Sequence, residues 1–143
     1  MLEVEDLHVE FRTRDGVARV LNGVSYHVSA GETVAVLGES GSGKSVTAQA
    51  IMGILDTPPA FVTRGSVRFH GEELLTASPE RRRAVRAEGV AMIFQDALSA
   101  LNPVFTVGFQ IEEQLRLRRG MSRAEARTRA IELLDLVRIP AAR

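Results

Sequence analysis

Apolar and polar residues alternate from the first residues of the chain. Leu2 and Val4 alternate with Glu3 and Glu5, the phase slips at Asp6, and Leu7, Val9 and Phe11 then alternate with His8 and Glu10. Period-two patterning predicts a strand with one face on a core. Residues 13–16 (TRDG) are a turn signal. The run beyond them ends in a second alternation, Val24, Tyr26 and Val28 against Ser25, His27 and Ser29. Two such runs about a short turn predict a β-hairpin with Tyr26 in its core. Residues 30–32 (AGE) turn the chain, and the pattern changes. Residues 33–37 (TVAVL) and 90–94 (VAMIF) are short and almost continuously apolar, as expected of strands buried on both faces.

Helical periods follow. In residues 44–55, Val46, Ile51, Met52 and Leu55 recur at helical spacing, and residues 56–59 (DTPP) are expected to end that helix, because proline disfavours helix at the residue before it. Residues 66–70 (SVRFH) read as a short strand closed by Gly71. Ser78-Pro79-Glu80 is a helix start, with serine as cap and proline at the first helical position. Residues 98–107 read as irregular, broken at Asn102-Pro103. Ile111, Leu115 and Leu117 predict a short amphipathic helix. Ser122 and Glu125 form a capping box opening a helix through Ala130, Ile131, Leu134 and Val137, which Pro140 stops. Strands and helices alternating from residue 33 onward predict an α/β core with parallel strands.

Composition narrows the function classes. The 143 residues suit one domain. With 45% apolar and 25% charged residues, the chain is neither disordered nor low-complexity. Eighteen basic residues balance eighteen acidic ones, so no overall positive field points to nucleic acid. The arginines at 81–83 and Arg116, Arg118, Arg119 and Arg123, with Glu112 and Glu113 nearby, read as solvated helix faces. Cysteine is absent, which removes disulfides, thiolate metal sites and cysteine nucleophiles together. His8, His27 and His70 have no metal-ligand spacing. No apolar run has the length of a spanning helix. The first ten residues carry four carboxylates where a signal peptide would be positive. A soluble, cytoplasmic protein is expected. Of the eighteen basic residues, only Lys44 is a lysine.

That lysine falls in residues 38–45 (GESGSGKS), which fit the phosphate-binding pattern G-x-x-x-x-G-K-[ST]. A polyphosphate needs many converging donors, and backbone amides converge only where side chains do not crowd the turn. Gly38, Gly41 and Gly43 leave that room, with Glu39, Ser40 and Ser42 between them. The loop amides and the positive end of the helix that follows, through Val46, would wrap the phosphates. Lys44 would place an ammonium on the β- and γ-phosphate oxygens, and Ser45 a hydroxyl on Mg²⁺. From average residue usage, a chance match in this length is about one in a few hundred. An apolar strand signal before the loop and a helical period after it reduce that further.

The flanks resemble a known family. Residues 20–25 (VLNGVS), 30–32 (AGE) and 36–45 (VLGESGSGKS) resemble the opening of an ABC-transporter ATPase domain. Residues 92–96 (MIFQD) resemble that family's Q-loop. Residues 101–103 (LNP), 106–108 (TVG), Gln110-Ile111 and 50–55 (AIMGIL) resemble the branch serving oligopeptide, dipeptide and nickel importers. The resemblance implies an α/β phosphate-loop NTPase core with an N-terminal antiparallel β subdomain and the start of a helical subdomain. The implied boundaries are 1–32, 33–96 and 97–143 within one incomplete ATPase domain. It implies ATP and Mg²⁺ at residues 38–46, catalytic roles for Lys44 and Gln95, and Mg²⁺ ligation by Ser45 and Gln95. It also implies adenine stacking on Phe11, which otherwise reads as strand core. Partners implied are transmembrane permease subunits, a second ATPase subunit (identical or not), and indirectly a periplasmic or extracellular solute-binding protein, with no nucleic acid. The implied place is cytoplasmic, on the inner face of the cell membrane, with residues 98–105 near a helix of the membrane subunit.

The departures matter as well. Ala97 stands where the branch commonly has proline. The family's signature segment resembling LSGGQ, its apolar strand ending in Asp-Glu and its switch histidine are not found in these residues. Residues 131–135 (IELLD) only imitate the Asp-Glu strand, because Leu136 replaces the glutamate and the capping box makes the segment helical. The expectation is therefore nucleotide binding at most by this chain alone, without stable folding or useful hydrolysis. The alternatives are a non-transport ABC ATPase in DNA repair or translation, and a truncated remnant without activity.

Overall fold

The computed structural model describes residues 1–95 and 100–139. They form two compact units, Met1–Met92 and Ile93–Arg143.

The first unit is built on a four-stranded antiparallel sheet of order β2-β1-β3-β4. β1 (Leu2–Thr13) and β2 (Gly16–Val28) form the expected hairpin, turning at Arg14-Asp15 with Thr13 opposite Gly16. The phase slip at Asp6 is a bulge. Register shifts fall between Val4 and Leu7, and Asp6 takes φ 48°. The bulge brings even-numbered Val4 and odd-numbered Leu7 and Val9 onto one buried face, which strict alternation forbids. Asp6 also ties three strands together. Its amide donates to Ser25 Oγ at 2.8 Å in β2, and its carboxylate accepts from Arg64 Nε at 2.7 Å in β3. His8 Nε2 lies 2.9 Å from its other oxygen.

β3 (Ala60–Phe69) pairs with β1 over most of its length and starts six residues before the expected strand. Arg64-Gly65 interrupts its alternation, which hides its first half from sequence. At Gly65 (φ 104°) a Cβ would meet the Asp6 carbonyl oxygen and Leu7 Cα of the bulge. The two-residue β4 (Glu72–Glu73) was not expected. Val4, Leu7, Val9, Leu21, Ala50, Ile51, Val67, Leu74 and Val85 make the core. Tyr26 is half-buried against it, and burial pushes its phenol pKa up, as befits a core residue.

α1 (Lys44–Met52) ends before residues 56–59, because Gly53 (φ 61°) closes it, its amide donating to the Ala50 carbonyl at 3.0 Å. α2 (Pro79–Glu88) starts as expected, with Ser78 Oγ accepting from the Arg81 amide at 3.2 Å. Its arginines are not all solvated. Arg81 makes a two-pronged pair with Glu72 at 2.7 and 2.6 Å, and Arg86 Nη1 donates to the Met52 carbonyl at 3.1 Å.

Residues 33–37 and 90–94 differ from expectation. Neither has a ladder partner among the described residues, and Leu37 and Ile93 are 90% and 92% exposed. An apolar run becomes a strand only beside another strand. The ladders among the described residues are all antiparallel and involve neither segment.

In the second unit, residues 100–106 are irregular, as expected, and residues 98–99 lie outside the described part. α3 (Val107–Arg119) is capped by Thr106, whose Oγ1 accepts from the Phe109 amide at 3.2 Å. α4 (Arg123–Leu136) opens with the expected capping box. Ser122 Oγ accepts from the Glu125 amide at 3.3 Å, and Glu125 accepts from the Ser122 amide at 2.8 Å. It buries Ala126 and Ala130 and stops at Leu136; Pro140 lies outside the described residues. No helix among the described residues is long and apolar enough to cross a membrane.

Candidate phosphate-binding site

Residues 38–43 fold into a tight loop before α1. The Ser42 amide donates to the Glu39 carbonyl at 3.2 Å, and Gly41 and Gly43 take φ of 82° and 90°. L-residues with a side chain rarely adopt these angles, so glycine is required there. Gly43 is also seated closely. It is buried, and a Cβ on it would lie 2.7 Å from Leu21 Cδ2 and 3.2 Å from the Val20 carbonyl oxygen. The loop therefore ends against β2, which fixes where α1 begins.

Lys44 Nζ reaches back into the loop. It donates to the carbonyls of Gly38 at 2.7 Å and Glu39 at 2.6 Å and to Ser42 Oγ at 3.3 Å. An ammonium has three protons, and the loop offers three acceptors. At the start of α1 there is no acidic residue in the first turn and no side-chain cap. The first-turn amides lack intrahelical acceptors, and the positive end of the helix dipole stands there unopposed. Ser45 is exposed, beside these amides in sequence. Val46 turns its side chain to the core, leaving its amide to the site.

Two residues that sequence reasoning passed over hold the ends of α1. Thr47 is 5% exposed, and its Oγ1 donates to the Gly43 carbonyl at 3.0 Å, alongside its own amide at 2.8 Å. A threonine four residues after the last loop glycine, in reach of that glycine's carbonyl on a helix, was the available signal. Arg86 holds the other end of α1 through Met52. Nothing in the local sequence pairs α2 with α1, so only the folded chain reveals it.

The structure brings together Gly38, Glu39, Ser40, Gly41, Ser42, Gly43, Lys44, Ser45 and the Val46 amide. Phe11 lies in β1 between Ala18 and Ala60, half-buried against the core. Gln95 is exposed and belongs to the second unit, while Asp96 and Ala97 lie outside the described residues. The donor set fits a magnesium-bound polyphosphate, because amides, an ammonium and a hydroxyl stand together and no carboxylate of the first turn opposes an anion.

Comparison with known proteins bears on the family and the fold. The family model described as ABC transporter matches residues 21–143. The chain is similar to the oligopeptide transport ATP-binding protein OppD of Bacillus subtilis, 46% identical over 98% of this chain and 39% of that protein. It is similar to OppD of Salmonella typhimurium, 46% identical over 100% of this chain and 42% of that protein. A putative peptide import ATP-binding protein of Brucella abortus is 49% identical over 98% of this chain and 42% of its own length. The chain thus spans about two fifths of the length of these relatives. In fold it matches the ATP-binding cassette MJ0796, solved as a dimer bound to ADP and Pi. The TM-score is 0.84 at 24% identity, over 99% of this chain and 59% of that one. The chain thus has the fold of an ATP-binding cassette and belongs to the ABC transporter family.

Proposed function

We propose that residues 38–46 bind ATP with Mg²⁺, as the opening part of an ATPase that drives import of peptides through membrane permease subunits. The observation that carries this reading is the Lys44 ammonium, held at the centre of a glycine loop by three oxygens at the open end of α1. Phosphate oxygens can replace those acceptors, and the amides of Gly41 and of Gly43 to Val46 supply donors around them. Mg²⁺, when bound, neutralises charge on the β- and γ-oxygens, and Ser45 Oγ is the ligand this chain offers it. Gln95 is the proposed further Mg²⁺ or water contact, and Phe11 the proposed adenine platform. The names of the relatives favour peptides over nickel as cargo. Pairing with a second ATPase subunit, delivery by a solute-binding protein, and a cytoplasmic position on the membrane face belong to the same proposal. Phosphoryl transfer depends on positioning and charge stabilisation, and the sequence of these 143 residues holds no apolar strand ending in Asp-Glu to orient water, so they are expected by themselves to bind and not turn over.

Titration with ATP and Mg²⁺ by calorimetry tests the site. Lys44→Ala removes a charged donor to phosphate and should weaken binding more than about tenfold. Equal affinity in both proteins would remove the lysine clamp from the reading, and no binding in either would remove the site.

A further inference from the structure

The turn joining α3 to α4 gathers positive charge in a chain whose net charge is zero. Residues 114–131 hold Arg116, Arg118, Arg119, Arg123, Arg127 and Arg129 against one carboxylate, Glu125. That carboxylate is occupied in the capping box. Arg129 is paired with Glu132 at 2.7 Å, and Arg118 donates to Gln114 Oε1 at 3.0 Å. Arg116, Arg119, Arg123 and Arg127 are exposed and make no ion pair among the described residues. Glu112 and Glu113, earlier on α3, share a shallow hollow with Arg116 and Arg123 without pairing to them.

An ordinary solvated helix end carries polar residues between its charges. Here Leu117, 76% exposed, stands between Arg116 and Arg118, and half-buried Met121 follows in the turn. Unpaired guanidinium groups around an exposed aliphatic side chain fit a surface with phosphates outside and hydrocarbon beneath. Single-stranded nucleic acid fits less well, because residues 114–131 contain no aromatic side chain and Phe109, which lines the same hollow, is already stacked on Phe105 at 5.0 Å.

We infer that the α3–α4 turn is a contact surface for anionic phospholipid headgroups, its arginines on the phosphates and Leu117 in the interface. This contact goes beyond the permease-borne attachment proposed above and needs neither permease nor nucleotide. Co-sedimentation of the full chain with vesicles of phosphatidylcholine, alone or mixed with phosphatidylglycerol, tests it without either. The chain should sediment with the mixed vesicles, stay in solution with phosphatidylcholine alone, and detach as salt is raised. Each arginine near an anionic surface contributes about fivefold, so Arg116→Gln with Arg119→Gln should weaken binding about twenty-five-fold. Leu117→Gln should weaken it several-fold. Arg14→Gln with Arg83→Gln removes the same charge from exposed sites in the first unit and should leave binding unchanged. Equal binding to both vesicle types, equal loss in the two double variants, or tighter retention on a single-stranded RNA oligonucleotide would overturn the inference. Because the assay contains no nucleotide, any of these results leaves the ATP site untouched.

Discussion

A methyl group added at Gly43 would press on Leu21 and the Val20 carbonyl, on a backbone already at φ 90°. Gly43→Ala should therefore cost about 2 kcal/mol or more, read as a lowered midpoint of thermal unfolding. At Gly41, also at positive φ, nothing lies within 4 Å of an added Cβ, so Gly41→Ala carries the backbone strain alone and should cost less. Charged caps set the pH response. The hydrogen bonds from the Ser122 hydroxyl and amide hold Glu125 below its ordinary value of 4.5, and the Arg81 pair does the same for Glu72. A carboxylate lowered by folding stabilises above its ordinary pKa, and that contribution is lost as pH falls through the lowered value. Helicity of α4 followed by circular dichroism should thus fall as pH drops below 4.5, and Glu125→Gln should flatten that response. The loop residues were legible because a phosphate site is written as a local spacing. Thr47 was less so, because its role needs its burial as well as its position.

α1 is nine residues long, too short to persist on propensity alone, and it is held at both ends. Gly43 against β2 holds its start, and Arg86 of α2 holds its last turn through the Met52 carbonyl. Arg86→Ala should loosen that turn by about 1–2 kcal/mol, seen as faster amide hydrogen exchange at Gly53 and Ile54, with Arg86→Lys recovering part of the protection. The hairpin β1–β2, the cap of α2 and the capping box of α4 were legible from sequence, since alternation and caps are contacts between near neighbours. The first half of β3 was not. Its interruption at Arg64-Gly65 is the counterpart of the bulge at Asp6, about sixty residues away, and reads as a break until the two strands are paired.

At the scale of the whole molecule, two apolar segments have no ladder partner among the described residues. Val36, Leu37, Ile93 and Phe94 are exposed, and residues 33–37 and 90–94 join no sheet among the described residues. Such segments are templates for association. The 143-residue chain should therefore scatter light increasingly with concentration. Replacing Leu37 and Ile93 together with lysine should reduce that scattering while leaving the β1–β2 hairpin signal intact. A monomer at all concentrations would refute this.

The sequence by itself determined the period-two hairpin, the caps, the glycine loop before α1 and the family, because each rests on residues close along the chain or on an ordered set of short motifs. It also marked the chemistry of residues 33–37 and 90–94, whose apolar runs require cover on both faces. Only the tertiary structure decided that the slip at Asp6 is a bulge shared by three strands, that Arg86 closes α1, and that those apolar runs join no sheet among the described residues. Each of these is a contact or a missing contact between segments far apart in sequence, and strand pairing is a property of two chain segments that neither encodes alone.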